Sequence, residues 1–325
     1  MVLSYGSLWI MSNFYGAEAI GLLTLCISVA SLIMFVSLLG FPHGSLRHMA
    51  QLPSAHAVTR GALFCRYMIM MIPGSVVAGV VLVLASRWLS EFVFSDPKIA
   101  FPLFLFGILL PILSAQQMMI AMFGGIKKIA YSTAVQNLIP SLFNFALLGA
   151  ALLLLPRNLT TPVYIHAFAV VCTVMVGFWL WNREKRRFGG QPTLLPSCQE
   201  ILRISMPMMI TAGMFAILAA TDSFFLGIFH DTREIGQYQV AFKIAFVPRL
   251  VFAALASITT PKIAEIHKTG DKERLKQTVW HSTRIMTAFA VPCLVVIVAF
   301  PEFLLGIFGE EFKSAAGVLI ALSVG

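Results

Sequence analysis

The chain has 325 residues, of which 58% are hydrophobic and only 11% are charged, and its mean hydropathy is +0.87. A soluble domain carries about 25% charged residues, so this composition excludes a soluble globular protein and indicates a polytopic membrane protein. The formal net charge of +9 is read as a topology signal rather than as a nucleic-acid-binding signal. The sequence also lacks Walker A, HExxH, GxSxG and paired CxxC motifs. It therefore predicts a protein that is not an enzyme and has no catalytic residue, cofactor, metal or nucleic-acid partner.

Long apolar runs predict membrane-spanning helices, because about 20 apolar residues are needed to cross the hydrocarbon core. The runs are continuous rather than alternating, which argues against the strands of a membrane β-barrel. Residues 1–14 are apolar but too short to span alone. Complete spans are predicted at about 19–41, 67–88, 99–123, 132–155, 163–182, 204–229, 235–260 and 284–308, and a last one begins near Ala315.

Lysine and arginine residues alternate regularly between the two sides of this predicted bundle. Segments 45–66, 124–131, 183–203 and 261–284 hold three, two, five and six of them, whereas the intervening loops hold one or two each. The positive-inside rule predicts that the basic segments are cytoplasmic. The chain is therefore predicted to be a multi-pass membrane protein with cytoplasmic basic loops, and segment 45–66 is expected to be a polar loop.

The second half of the chain repeats the first half at an offset of about 215 residues. Gly21 falls on Gly236, and Arg47 falls on Lys262. The two matched spans run in the same direction by the charge rule. Two lobes of one topology are therefore predicted, related by a pseudo-twofold axis along the membrane normal.

The repeat and the charge pattern together predict the domain boundaries. Residues 1–182 form an N-terminal lobe whose first helix is incomplete, and residues 183–203 form a cytoplasmic basic linker. Residues 204–325 form a C-terminal lobe that stops in its fourth helix. A complete version is expected to have at least six helices in each lobe. Because both lobes are incomplete, the sequence predicts an all-α chain that is truncated at both ends.

Ionisable residues inside the predicted spans are the candidate functional residues, because charge is costly there and usually faces a partner or a water-filled cavity. Asp222 and Lys243 each lie roughly 10 Å below the predicted outer surface. They are interpreted either as a structural ion pair or as a switchable coupling pair that lines a transport cavity. Arg249 lies near the middle of its span and follows Pro248 directly. It is interpreted as an anion-binding residue in a hydrated cavity, with snorkelling or pairing with Asp222 as the alternatives.

Three other polar residues within the spans are weaker cavity candidates. His166 is a candidate proton relay, and Gln117 and Asn144 are candidate cavity residues. The alternative interpretation of each is a hydrogen bond between helices.

Several short motifs occur in an order that is typical of one family. They are Tyr15-Gly16-Ala17-Glu18-Ala19-Ile20-Gly21, Leu39-Gly40-Phe41-Pro42-His43-Gly44 with Arg47, Met206-Pro207 through Ala220-Thr221-Asp222, Ile235-Gly236-Gln237-Tyr238, and Phe308-Gly309-Glu310-Glu311-Phe312. In this order they resemble the O-antigen and exopolysaccharide flippases of the Wzx type. These belong to the superfamily that includes the multidrug and toxic compound extruders (MATE). The resemblance covers nearly all of the chain.

The resemblance implies two six-helix lobes around a central cavity, with alternating access. It implies movement of an undecaprenyl-pyrophosphate-linked oligosaccharide from the cytoplasmic to the outer leaflet of a bacterial inner membrane, for O-antigen of lipopolysaccharide or another surface polysaccharide. The implied partners are the lipid-linked oligosaccharide and membrane lipid, with the polysaccharide polymerase machinery as a further candidate.

Three of the candidate residues fit this implied function. A basic cavity suits the pyrophosphate, so Arg249 and Lys243 are assigned to it, and Asp222 occupies a place where these flippases often carry an acidic residue. Two alternatives remain open: a cation-coupled multidrug extruder on the same scaffold, and an inactive truncated product.

Overall fold

A computed structural model describes most of the chain. The described residues are 2–51, 57–154, 158–185, 195–249 and 271–324, together with residues 252, 255, 256, 259, 262, 263 and 266. Every regular element in these ranges is helical. The helices are α1 (Val2–Ser37), α2 (Phe41–Gln51), α3 (Ala57–Trp88), α4 (Ala100–Gly125), α5 (Ile129–Thr133), α6 (Ile139–Leu154), α7 (Thr161–Lys185), α8 (Cys198–Phe229), α9 (Thr232–Ala245), α10 (Lys272–Ala299), α11 (Pro301–Gly306) and α12 (Ala316–Val324).

Short non-α turns connect or extend several of these helices. They are π-helical at Leu89–Val93 and Ala134–Leu138, and 3₁₀-helical at Pro97–Ile99 and Glu310–Ala315. Within the described residues, six helical segments are long and apolar enough to cross a membrane. They are Val2–Ser37, Thr59–Val93, Pro97–Gly125, Ile129–Leu154, Thr161–Glu184 and Lys272–Ala299. The prediction of a polytopic helical membrane protein is therefore confirmed.

Helix α1 consists of two helices that meet at Gly16. The φ of 83° and ψ of 175° at this residue lie outside the helical range and in a region that glycine adopts without steric cost. The break separates the short apolar segment at the N-terminus from the first complete span, as the sequence predicts. The second helix ends at Ser37, because Leu39 and Gly40 have φ values of 45° and 74° and turn the chain into α2.

The first compact unit comprises residues 1–235. Helix α4 packs against α2, α3 and α7 in this unit, while α8 packs along α1 and α2. The core is rich in aromatic side chains, and the rings of Phe64 and Trp181 stack with centroids 4.3 Å apart. More than half of the most apolar window of α4 (56%) is buried in the protein.

The second compact unit comprises residues 236–325. Helix α10 packs against α12, and α11 packs against the 3₁₀ turn that precedes α12. The Nε2 atom of Gln237 donates to the carbonyl oxygen of Glu311 at 2.7 Å and so joins α9 to that turn. Only 6% of the apolar window of α10 is buried.

Two sequence-based boundaries were wrong. Segment 45–66 is not a polar loop, because Phe41–Gln51 is helical and α3 begins at Ala57. The span predicted at 284–308 lies earlier, since Asp271 caps the N-terminus of α10 by accepting from the amide of Arg274 and the helix ends before Pro301. Hydropathy alone does not place these two boundaries. A polar, capped first turn and an amphipathic helix contain no long apolar run, so neither is marked by high hydropathy.

The predicted lobes, 1–182 and 204–325, remain a prediction. Internal contacts divide the chain after Ile235, since α8 packs on α1 and α2 within the first unit. Residues 186–194 of the predicted basic linker 183–203 lie outside the described residues, as do most of the residues that follow Arg249 in the predicted span 235–260.

Candidate functional site

The start of α2 approaches α8 closely at two glycines, Gly40 in the preceding turn and Gly44 in the helix. A Cβ atom at Gly40 would lie 2.2 Å from the carbonyl oxygen of Ser205, and one at Gly44 would lie 2.1 Å from the Ser205 Oγ atom. Both distances are far below van der Waals contact, so only glycine allows the two helices this separation. The turn that follows α1 is thereby fixed against α8.

A buried polar pair lies beside this glycine contact. The Nδ1 atom of His48 is 2.6 Å from the Tyr67 hydroxyl oxygen, and both side chains are buried. Burial lowers the pKa of His48; the charge of Glu200 acts in the opposite direction, and that of Arg47 adds to the lowering. The lowered pKa favours the neutral imidazole, whose Nδ1 atom can accept a hydrogen bond from the phenol hydroxyl.

The first unit contains a cavity of about 280 Å³ next to the start of α2, here named the Gln117 cavity. Its lining is mostly apolar and comprises Ser31, Met34, Phe35, Leu38, Gly40, Pro42, His43 and Gln117. The Ser31 hydroxyl donates to the carbonyl oxygen of Ser28 at 2.8 Å, and the exposed side chains of Gln117 and His43 are the other polar groups of the lining. Gln117 was a candidate from the sequence, whereas His43 was missed because it lies outside the predicted spans.

Gln116, the residue before Gln117, has a different role. Its side chain is buried, and its Nε2 atom donates to the carbonyl oxygen of Val135 at 3.1 Å. This bond ties α4 to the π-helical turn that precedes α6. Of the two adjacent glutamines, one lines a cavity and the other holds two elements together.

A polar cavity of about 480 Å³, here named the Glu18 cavity, lies near the other end of the second helix of α1. The Nζ atom of Lys98 is 2.5 Å from Oε1 of Glu18, and the Oγ1 atom of Thr232 donates to Oδ2 of Asp96 at 3.3 Å. His230 also lines this cavity, and its Nδ1 atom is 2.5 Å from Oε2 of Glu234. The sequence analysis did not predict this site, because its residues come from three separate turns.

The charged candidates fall in different units. Asp222 is exposed in α8 of the first unit, whereas Lys243 is half-buried in the last turn of α9, in the second unit. Arg249 is exposed, and its guanidinium carbon lies 4.5 Å from the ring centroid of Phe246, where α9 has just ended. The pairing of Asp222 with Lys243 and the anion-binding role of Arg249 stay predictions.

His166 and Asn144 line neither of the two cavities described above. The ring of His166 is stacked on that of Phe106, with centroids 6.0 Å apart and an interplanar angle of 17°. The Nδ2 atom of Asn144 donates to the carbonyl oxygen of Pro140, one turn earlier in the same helix, at 2.8 Å. This local bond favours a structural role for Asn144. Among the described residues, no group of three or more His, Cys, Asp or Glu residues is placed to hold a metal ion.

The family described as "Polysaccharide biosynthesis protein" matches residues 1–267. Two relatives come from Haloferax volcanii. The probable low-salt glycan biosynthesis flippase Agl15 is 20% identical over 176 residues, which are 54% of this chain and 37% of the relative. The probable flippase AglR is 28% identical over 106 residues, which are 32% of this chain and 22% of the relative. The chain thus matches less than two fifths of the length of each relative.

The fold is similar to that of a solved structure described as the inward-facing conformation of a multidrug resistance MATE family transporter of the MOP superfamily. The TM-score is 0.69 at 16% sequence identity, and the similarity covers 99% of this chain and 76% of the other. This similarity confirms the predicted all-α, MATE-like fold. The pseudo-twofold relationship between the lobes stays a prediction.

Proposed function

Because the chain belongs to the polysaccharide biosynthesis protein family, we propose that it flips a lipid-linked oligosaccharide across its membrane. The cargo in this proposal is an oligosaccharide on undecaprenyl pyrophosphate. It moves from the cytoplasmic to the outer leaflet of a bacterial inner membrane and is then used by the polysaccharide polymerase machinery for O-antigen or another surface polysaccharide. The observation that carries the proposal is the family match, which spans the whole first unit and continues past Arg249.

Two cavities among the described residues of the first unit support a transport function. The Glu18 and Gln117 cavities lie towards opposite ends of the second helix of α1. Glu18 and Leu38 are separated by about 20 residues, or roughly 30 Å of helix, which is the thickness of the hydrocarbon core. Alternating access requires space that opens towards each side of the membrane, and cavities near both ends of this helix support the proposal.

Arg249 is the proposed contact for the pyrophosphate, with Lys243 as the second cation. An exposed guanidinium presents N–H donors in a planar fork that matches two phosphate oxygens. The ring of Phe246, 4.5 Å away, favours the cation by a cation–π interaction and limits its rotamers. Asp222 is proposed to couple transport to an ion gradient, since a carboxylate inside a span can bind and release a cation.

Complementation of a flippase-deficient strain tests the function and the role of Arg249. The unchanged chain should restore surface polysaccharide, which an inactive product would fail to do. Arg249→Ala removes one charge-assisted contact of about 1.5–3 kcal/mol. It should therefore reduce transport roughly 10- to 100-fold. Arg249→Lys should keep part of the activity. The matched control is Arg87→Ala, since the Arg87 side chain is 85% exposed and paired with Glu91.

These results separate the function from the residue assignment. Normal polysaccharide with Arg249→Ala, at equal amounts in the membrane, would reject the anion-binding role. Failure of the unchanged chain to restore polysaccharide would count against flipping by this chain.

A cation-coupled multidrug extruder is the second candidate function. The Glu18 cavity favours it, because three carboxylates, those of Glu18, Asp96 and Asp231, line it against the two cations of Lys98 and Arg233, and the space is large enough for a small cationic compound. This function predicts that expression of the chain raises resistance to cationic drugs and that Asp96→Asn removes the resistance. Unchanged drug sensitivity would reject it.

A further inference from the structure

The second unit contains a cavity of about 590 Å³ that has no part in the functions above, here named the Lys262 cavity. It lies between the first turns of α10 and the described residues that precede α10 in the chain. Its polar lining residues are Thr259, Lys262, Gln277, Thr278, His281 and Ser282, and Trp280 adds an aromatic ring. No aspartate or glutamate occurs among the described residues that line it.

The hydrogen-bonding groups of this cavity favour an anion. The hydroxyl protons of Thr278 and Ser282 are already donated to carbonyl oxygens within α10, at 2.8 and 2.7 Å. The Thr259 hydroxyl likewise donates to the carbonyl oxygen of Leu255 at 3.0 Å. The Lys262 ammonium, the Gln277 amide, the Trp280 indole N–H and the His281 ring therefore remain as donor groups among the polar lining residues. The surrounding segment 261–284 carries six Lys or Arg residues against three Asp or Glu residues, so the local field is positive as well.

The position of the cavity along α10 matches a membrane–water interface. Trp280 is 63% exposed, and the guanidinium carbon of Arg284 lies 5.5 Å from its ring centroid. Residues 285–299, which follow, contain no charged side chain. Tryptophan and arginine at the end of an apolar span are typical of the headgroup level, where an aromatic ring and a long basic side chain reach the interface.

We propose that the Lys262 cavity binds the phosphate of an anionic lipid. Lys262 supplies the charge, Gln277 and His281 supply N–H donors, and Trp280 packs against the glycerol or prenyl part next to the phosphate. The same chemistry is offered by an anionic phospholipid of the leaflet and by a polyprenyl pyrophosphate. Only binding of the polyprenyl pyrophosphate rests on the proposed flippase function.

Native mass spectrometry of the full chain, purified with mixed phospholipids, tests this site by counting retained lipids. The unchanged protein should retain phosphatidylglycerol in preference to phosphatidylcholine. Lys262→Glu should reduce this retention about tenfold, because it replaces a charge-assisted contact by repulsion. Lys276→Glu makes the same charge change at an exposed position of α10 outside the cavity and should have no such effect.

A milder variant keeps the test valid if Lys262→Glu reduces the yield of folded protein. His281→Ala removes one donor without adding charge and should reduce retention about threefold. Equal retention by the unchanged protein and both cavity variants would overturn the proposal, as would equal retention of phosphatidylglycerol and phosphatidylcholine by the unchanged protein.

Competition with undecaprenyl pyrophosphate identifies the source of the phosphate. Displacement of phosphatidylglycerol that depends on Lys262 assigns the cavity to a cargo lipid, whereas retention of phosphatidylglycerol under competition assigns it to leaflet lipid. Either result supports the phosphate site. The Arg249→Ala variant separates this proposal from the flippase function, because it should lose transport and keep phosphatidylglycerol retention.

Discussion

The Nδ1 atom of His48 lies 2.6 Å from the hydroxyl oxygen of Tyr67, so helices α2 and α3 share a hydrogen bond inside the protein. Tyr67→Phe removes the hydroxyl and leaves a buried imidazole nitrogen without this partner, which costs about 1–3 kcal/mol. The variant should therefore unfold at a lower temperature in detergent. Tyr164→Phe is the control, because Tyr164 is 49% exposed, and it should unfold with the unchanged protein. Equal unfolding of the two variants would contradict the role of this bond.

A second prediction concerns the pH dependence of stability. Burial lowers the pKa of His48 below its usual 6.5, so the unfolded chain binds this proton more readily than the folded protein does. The stability that neutral His48 contributes is present above pH 6.5 and is lost as the pH falls from there through the lowered pKa. Thermal unfolding of His48→Gln should therefore depend less on pH below 6.5 than that of the unchanged protein. Identical pH profiles would show that His48 is not the titrating group.

The close contact of α2 with α8 predicts that Gly44→Ala is destabilising. The new Cβ would lie 2.1 Å from the Ser205 Oγ atom, so one of the helices must shift. We expect a loss of about 1–3 kcal/mol, as for other overpacked sites. Ser205→Ala should restore most of this loss, since the next obstacle, the Cβ atom of Ser205, is 3.2 Å away.

The matched control for this substitution is Gly149→Ala in α6. A Cβ atom there would meet nothing within 4 Å, so this variant should be neutral or slightly more stable. Thermal unfolding of the three single variants and of the Gly44–Ser205 double variant measures the coupling. A double variant that is as unstable as Gly44→Ala would place the cause elsewhere.

The ion pair of Lys128 with Glu184 predicts a strongly asymmetric response to substitution. The Nζ and Oε1 atoms are 2.7 Å apart, with angles outside those of a directed hydrogen bond, and the carboxylate is only 5% exposed. Lys128→Met leaves this carboxylate unpaired and should cost about 1–3 kcal/mol, less than for a fully buried pair because Lys128 is 40% exposed.

Two further variants complete this test. Lys127→Met removes the same charge from the exposed neighbouring residue and should change the unfolding temperature little. Adding Glu184→Met to Lys128→Met should recover most of the stability, because an apolar pair replaces an isolated charge. If the double variant is less stable than Lys128→Met, the carboxylate has another essential contact.

Substitutions of the adjacent residues Gln116 and Gln117 should have different effects, one on stability and the other on transport. Gln116→Leu leaves the carbonyl oxygen of Val135 without its donor and should lower stability by about 1–3 kcal/mol. Gln117→Leu changes only an exposed group of the Gln117 cavity, so it should unfold normally and reduce transport. Parallel unfolding and complementation assays check both. Normal transport by Gln117→Leu would exclude that side chain from the path.

The sequence predicted the membrane spans best where polar or glycine residues mark the ends of the apolar runs. The predictions 99–123 and 132–155 agree with the observed spans Pro97–Gly125 and Ile129–Leu154 within a few residues. Hydropathy failed at α2, whose eleven residues mix apolar and polar side chains on different faces. Such a helix has no long apolar run, so its helicity depends on packing against α4 and α8.

The candidate site was less predictable than the fold. Gln116 and Gln117 are identical neighbours in the sequence, so the sequence does not distinguish their roles. Their roles differ because successive helical residues are rotated by about 100° and point in different directions. The Glu18 cavity combines turns that are up to about 215 residues apart in the chain. Such sites depend on tertiary packing, which spacing along one sequence does not encode.

The contrast between α4 and α10 has a consequence for the membrane in which the protein works. Protein side chains surround much of α4, so its tilt is set by neighbouring helices. The apolar window of α10 is only 6% buried by the described residues, so we expect its fit to depend on the thickness of the surrounding hydrocarbon. We expect a thinner bilayer to tilt α10 more readily than α4 and to displace Trp280 from the interface. Lipid chain length should therefore affect the tilt of α10 more than the tilt of α4.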